Sequence, residues 1–277
     1  MRPPAFRPLR LLARLLLIAA AAGLSLRAQT TLYLANGDAS RLQAINTSTG
    51  AFTFDVTSSS SEYAIAVRDT IWLRPYSGPV TAHEYSITTG APTGLTATIS
   101  ATTPGEQWLD GTTDGVFNYT LGWTGGSTVN IYRANGDWSS ASLLFNTSPL
   151  FLGSDLMGIT YDLAAGNFWI SGSSMISQIH FDGTTATLVS QFSHAGGRGS
   201  LAYQPTTDTL WYVPNSSSAP ILQYSKSGTL LQSLTTPTRS GNIWGSEFQI
   251  VPEPSTYALL GLGLAGLLWR HRRRIGG

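Results

Sequence analysis

The chain has 277 residues and no cysteine, and its formal charge of +1 hides two different compositions. Five of the sixteen Lys plus Arg lie in Met1 to Ala28 and four in the C-terminal tail, so Gln29 to Ile250 holds seven cations against fourteen acids, 7 − 14 = −7. An acidic body with one lysine, Lys226, has no basic stripe to neutralise phosphates, which argues against a nucleic-acid partner, and without cysteine there is no disulfide framework or thiol chemistry.

At the N-terminus, Arg2, Arg7, Arg10 and Arg14 precede and enter an apolar stretch, Leu11 to Leu26, and small residues end near Ala28. This reads as a signal-peptide helix, residues 1–28, cleaved about there. A membrane-spanning helix is the weaker reading, because Arg14 and Arg27 bracket too short an apolar run. Residues 29–250 remain as a body large enough to bury a core without staples.

That body repeats one pattern: a short strand, a turn, then an aliphatic or aromatic residue beside an aromatic. The pairs are Leu32-Tyr33, Ile71-Trp72, Val116-Phe117, Phe168-Trp169 and Leu210-Trp211, about 40 to 50 residues apart, the spacing of propeller blades. Turn residues stand before four of them, as in Thr207-Asp208-Thr209, which suits tight hairpins. Tyr63 to Val67, Gly158 to Tyr161 and Gly199 to Tyr203 are expected as innermost strands. Third and fourth strands follow, such as Ile179 to Phe181 with Leu188 to Ser190.

The first unit lacks an inner strand, while Gly245 to Ile250 is a late strand without a partner. If it completes the first unit, five blades close into a ring and no edge is left open at the seam. The expected fold is therefore all-β, a five-bladed β-propeller, with a β-sandwich or another β-repeat as the alternative. The pattern resembles secreted propeller-repeat proteins of the NHL and YVTN type.

Chemical motifs are sparse. His83-Glu84 begins like a zinc-protease helix, but the second histidine is missing and the segment reads as strand. His83, His180 and His194 fall one to a blade and read as structural. Asp110, Asp114, Asp155, Asp162, Asp182 and Asp208 are of the type that cleaves glycosidic bonds, although Asp69, Asp114, Asp182 and Asp208 stand where an Asp caps its own turn. Asp110 to Gly115 is a poor calcium loop, lacking the EF-hand spacing and closing glutamate. No catalytic residue, metal or cofactor is expected.

Trp72, Trp169 and Trp211 recur at blade spacing and should pack between sheets. Trp123 and Trp138 break the repeat in Gly- and Ser-rich turns, so they are the candidates for ligand contact, with an extracellular polysaccharide as the ligand.

The tail, residues 251–277, has three parts. Val251-Pro252-Glu253-Pro254 is extended by its prolines and presents Glu253. Tyr257 to Trp269 is uncharged and, at ~1.5 Å per residue, spans roughly 20 Å of helix against a ~30 Å hydrocarbon core. Arg270, Arg272, Arg273 and Arg274 then act as a cytoplasmic stop, leaving the body outside the inner membrane. Gly261 to Gly266 matches a dinucleotide fingerprint by letter but has no strand before it.

This order of motif, short apolar helix and basic end resembles the PEP-CTERM sorting signal of Gram-negative bacteria. The resemblance implies an exosortase-type membrane transpeptidase as partner, transient anchoring in the inner membrane, and delivery to the cell surface or extracellular matrix. Two functions remain open for the body: a non-catalytic binding or scaffold module, or a carbohydrate-active enzyme. Two carboxylates converging in a central funnel with room for a sugar would favour the enzyme.

Overall fold

Short alternating strands separated by turns build five four-stranded antiparallel sheets in the computed structural model, which describes residues 30–77, 81–99, 106–123 and 129–250. The signal-peptide helix and the whole tail, with Val251, Pro252, Glu253, Pro254 and Arg270, Arg272, Arg273 and Arg274, lie outside the described residues. The first blade runs outward as β20 (Gly245–Phe248), β1 (Thr31–Asn36), β2 (Arg41–Asn46) and β3 (Phe52–Thr57). The second is β4 (Glu62–Val67), β5 (Thr70–Pro75), β6 (Thr81–Ser86) and β7 (Pro92–Thr98). The third is β8 (Gln107–Thr113), β9 (Asn118–Trp123), β10 (Val129–Ala134) and β11 (Ala141–Asn146). The fourth comprises β12 (Gly158–Asp162), β13 (Asn167–Ser171), β14 (Met175–Phe181) and β15 (Ala186–Ser193); the fifth, β16 (Gly199–Gln204), β17 (Thr209–Pro214), β18 (Ile221–Ser225) and β19 (Leu230–Leu234).

The innermost strands pack side by side in the order β20, β4, β8, β12, β16 and back to β20, so the ring is a closed five-bladed propeller. Closure is the one expected: the last strand pairs with the first, Leu32 opposite Phe248 and Ala35 opposite Gly245. Both ends of the body are thereby held in one sheet.

Burial follows position in the blade. The innermost strands β4, β16 and β20 are buried at every residue, whereas β7 and β15 are exposed along most of their length. Between neighbouring blades lie apolar clusters; one joins Tyr33, Leu42 and Ala44 to Ile65, Val67 and Ile71, and another joins Trp211, Val213 and Ile221 to Leu32, Leu34 and Phe248. Trp72, Trp169 and Trp211 are buried in such clusters, as their spacing indicates.

Two features differ from the sequence reading. Val116 and Phe117 do not open the second strand of the third blade. They belong to the turn before β9, where Asp114 accepts from both of their N–H groups at 2.8 and 2.7 Å, and Val116 is exposed. The third blade also has an inner strand, β8, which has little apolar alternation because its Asp110 and Thr112 bond neighbouring inner strands and Thr113 bonds its own turn.

The seam leaves no room for side-chain growth. A Cβ on Gly245 would stand 2.1 Å from the backbone oxygen of Tyr63 and 3.0 Å from a methyl of Ile65. Because the nearer contact is backbone, Gly245→Ala is expected to cost roughly 1–3 kcal/mol through displacement of β20. A lowered urea midpoint with an unchanged slope would show this; an unchanged midpoint would contradict the tight seam.

Candidate functional site

A β-bulge decides what occupies the axis. Between Trp108, opposite Gly122, and Gly111, opposite Thr120, β8 carries two residues against one on β9, which turns Asp110 toward the ring centre. There its Oδ1 accepts from Gly111 N–H (2.8 Å) and Ser246 N–H (3.0 Å), and its Oδ2 from Leu201 N–H (2.9 Å) and Ile159 N–H (3.1 Å). One carboxylate thus ties β8, β12, β16 and β20. The fifth inner strand, β4, passes Gly111 so closely that a Cβ there would lie 2.9 Å from the Ile65 oxygen.

A second layer lies beside this hub. Thr112 Oγ1 accepts from Tyr161 N–H at 3.1 Å and Thr160 Oγ1 from Tyr203 N–H at 2.9 Å, linking β8 to β12 and β12 to β16. Glu247 of β20 accepts the Thr160 hydroxyl at 3.4 Å and its neighbour Phe248 N–H at 3.0 Å. Burial pushes both carboxyls well above the usual carboxylate range. Four N–H bonds act against this rise at Asp110; at Glu247 the charge of Asp110 adds to it, while bonds from Phe248 N–H and the Thr160 hydroxyl oppose it.

Two carboxylates therefore do converge on the axis, but both are enclosed and engaged with backbone and threonine. The other candidate acids are occupied as well. Asp182 caps its turn through Thr184 and Thr185 N–H at 2.8 Å each; Asp114 caps its own and accepts the Tyr119 hydroxyl. Asp155 pairs with Arg198 at 2.6 Å, and Lys226 bridges Asp162 (2.9 Å) and Asp208 (2.5 Å). Among the described residues no group of three His, Cys, Asp or Glu is placed to hold a metal.

The tryptophan expectation needs correction. Trp138 is fully buried, its indole N–H aimed at the Trp72 carbonyl 3.4 Å away, so it has no face for a ligand. Its backbone is left-handed, φ 67°, and its side chain packs between the second and third blades with Ala64, Ala66, Trp72 and Ala134. Trp123 ends β9 half-buried against the cluster between the third and fourth blades. The structure does not bring the two together in a groove; neither lines one of the two grooves described here.

What faces solvent instead is a groove of about 600 Å³ beside the ring seam, lined by Ser60, Ser61, Tyr63, Tyr76, Thr81 and His83, among others. A bulge at Tyr63 in β4 turns its ring out of the blade. The ring lies over Gly37, where a Cβ would stand 1.8 Å from a ring carbon, so only glycine fits. Tyr63 is sandwiched between Trp244, stacked at 4.8 Å and 14°, and Tyr76 at 4.5 Å. Asp38 locks the stack by accepting from the Tyr63 hydroxyl (2.8 Å), Trp244 Nε1–H (2.9 Å) and Asn242 (2.8 Å).

Sequence alternation on β6 then places His83 and Glu84 on opposite sides. Glu84 accepts the Thr70 and Thr93 hydroxyls at 2.8 and 2.6 Å, while His83 lines the groove with Nδ1 held 2.7 Å from buried Glu62. Glu62 also accepts the Tyr85 hydroxyl at 2.7 Å, and burial holds its carboxyl above the usual range. Among the described residues no serine hydroxyl is hydrogen-bonded to His83, whose bonded partner is Glu62. The other two histidines among the described residues have local partners: His194 bonds the Gly172 carbonyl at 2.9 Å and packs on Tyr212, and His180 pairs with Asn167. A smaller groove of about 310 Å³ lies between the third and fourth blades, lined by Tyr119, Arg133, Tyr161 and Phe181 among others.

Residues 251–274 match the PEP-CTERM protein-sorting motif, which implies export through an exosortase with transient membrane anchoring. A solved luciferin-regenerating enzyme is similar at TM-score 0.50 and 14% identity, over 78% of this chain and 75% of that one. The calcium-binding protein regucalcin from Agrobacterium tumefaciens str. C58 gives TM-score 0.47 and 14% identity over 76% and 72%. A functionally unknown protein from Desulfotomaculum acetoxidans DSM 771 gives 0.47 and 13% over 78% and 99%. At such identity the first likeness speaks to fold alone. No curated protein matches the sequence.

Two variants test the axis. Asp110→Asn keeps the shape but replaces one acceptor oxygen by a donor facing N–H groups, for an expected loss of roughly 2–5 kcal/mol in chemical denaturation. Near-native stability would show that the hub carries little. For Glu247, the folded pKa is raised above an unfolded value of about 4.3, so its contribution is fully present below that value and declines as pH rises toward the folded one. Glu247→Gln, neutral at all pH, should therefore match wild type near pH 4 and gain in melting temperature over it toward neutral pH. A gap that does not change with pH would contradict the raised value.

Proposed function

We propose that this is an exported surface or matrix protein of a Gram-negative-type bacterium whose propeller serves as a non-catalytic binding or scaffold module. The observation that carries this reading is the enclosed axis: the ring centre, where a glycosidase of this shape would need room for a sugar, is filled by Asp110 and Glu247 bonded to the ring itself. The remaining candidate acids are held in turns and ion pairs, which supports the same conclusion. The exposed groove at the seam has a rigid aromatic floor and a hydroxyl rim, features of a binding surface for an extracellular polysaccharide. The sorting motif at 251–274 supports handover to an exosortase after export.

Fractionation of cells expressing the chain with and without residues 252–277 tests the sorting half. The intact chain is expected at the surface or in the matrix in shortened form, and the truncated chain in the soluble exported fraction. Identical distribution of both, or full-length protein in the cytoplasm, would overturn it.

A further inference from the structure

The seam groove holds more information than its shape. Among the described residues its lining contains no Lys, Arg, Asp or Glu, and the acids beside its floor are already engaged: Glu62 by His83 and Tyr85, Asp38 by Tyr63, Trp244 and Asn242. It therefore offers no cation for a phosphate, sulfate or uronate and no uncommitted carboxylate for a basic peptide. What it offers is the ring of Tyr76, half-buried and packed against Tyr63, and the hydroxyls of Ser61, Ser77 and Thr81. His83 Nδ1 lies 2.7 Å from Glu62, which leaves Nε2 as the ring nitrogen for a ligand.

We infer that this groove binds an uncharged polysaccharide, with Tyr76 as the platform on which one sugar ring stacks. The inference rests on the reading of the body as a binding module and adds the site and the ligand class. A pyranose has an apolar C–H face and a rim of hydroxyls, the same two chemistries that the groove presents. Its volume of about 600 Å³ lies within the ~300–1,000 Å³ of small-ligand clefts.

The floor is ordered before any ligand arrives. Tyr63 is fixed by Gly37 beneath it, Asp38 at its hydroxyl and Trp244 on its far face, and the Tyr76 backbone is held by bonds to Ser61 (3.1 Å) and Trp108 (2.8 Å). A prearranged aromatic loses little conformational entropy on binding, which favours affinity from few contacts. Trp244 immediately precedes β20, so the strand that closes the ring also completes the stack.

The test is native affinity electrophoresis of the full chain in mild detergent through gels containing hydroxyethyl cellulose or dextran, with alginate as the charged control. Retardation by an uncharged glucan and not by alginate is expected, with a Kd about tenfold weaker for Tyr76→Ala. Tyr76→Phe should retain binding, since it keeps the ring, and His83→Gln should weaken it without touching the stack. Thermal melting of each variant separates lost binding from lost folding. Equal retardation of wild type, Tyr76→Ala and His83→Gln would place the site elsewhere while leaving the binding-module reading intact. Retardation by alginate alone, or by no polymer, would overturn the ligand class and leave the sorting test unaffected.

Discussion

The ring depends on a single buried carboxylate. Five sheets packed face to face must bring five innermost strands together at an axis too narrow for large side chains, and those strands carry N–H groups that their own blades do not satisfy. Asp110 meets that need by accepting four of them from four strands, and the glycine beside it lets the fifth strand approach. A buried acid is costly in isolation; here each oxygen is bonded twice, which offsets part of a desolvation cost that still holds the carboxyl above its usual range. The threonines and Glu247 repeat the device one layer away.

Filling the axis in this way has a functional consequence. Polar groups at a propeller's centre can line a channel or hold the ring, and here they hold the ring. The aromatic stack beside the exposed groove lies at the seam, where two irregularities re-aim side chains: the bulge at Tyr63 and the lead-in to β20 that carries Trp244. The same closure that protects the edges of the first blade supplies the aromatic stack.

The strand pattern was readable because each blade obeys local rules. Alternating apolar residues, turn residues at hairpin tips and an aromatic pair every 40 to 50 residues led to five blades and to the late strand pairing with the first. The reading slipped where a turn is held by a side chain: Asp114 draws Val116 and Phe117 into its own hydrogen bonds, and no periodicity announces that. Trp138 misled for a related reason. Glycines and serines around it suggested an exposed loop, but the indole is covered by residues of the neighbouring blade, Ala64, Ala66 and Trp72.

What the sequence determined alone is what depends on neighbours along the chain: the all-β character, the blade repeat, the acidic body, and the sorting motif that is read as a linear string. What only the tertiary structure decided is which residues distant along the chain meet. Asp110 meets Ser246 across 136 positions, and Trp244 meets Asp38 across 206. Such meetings follow from ring closure and from bulges that reverse which way a side chain points, and neither leaves a trace in local hydrophobic pattern.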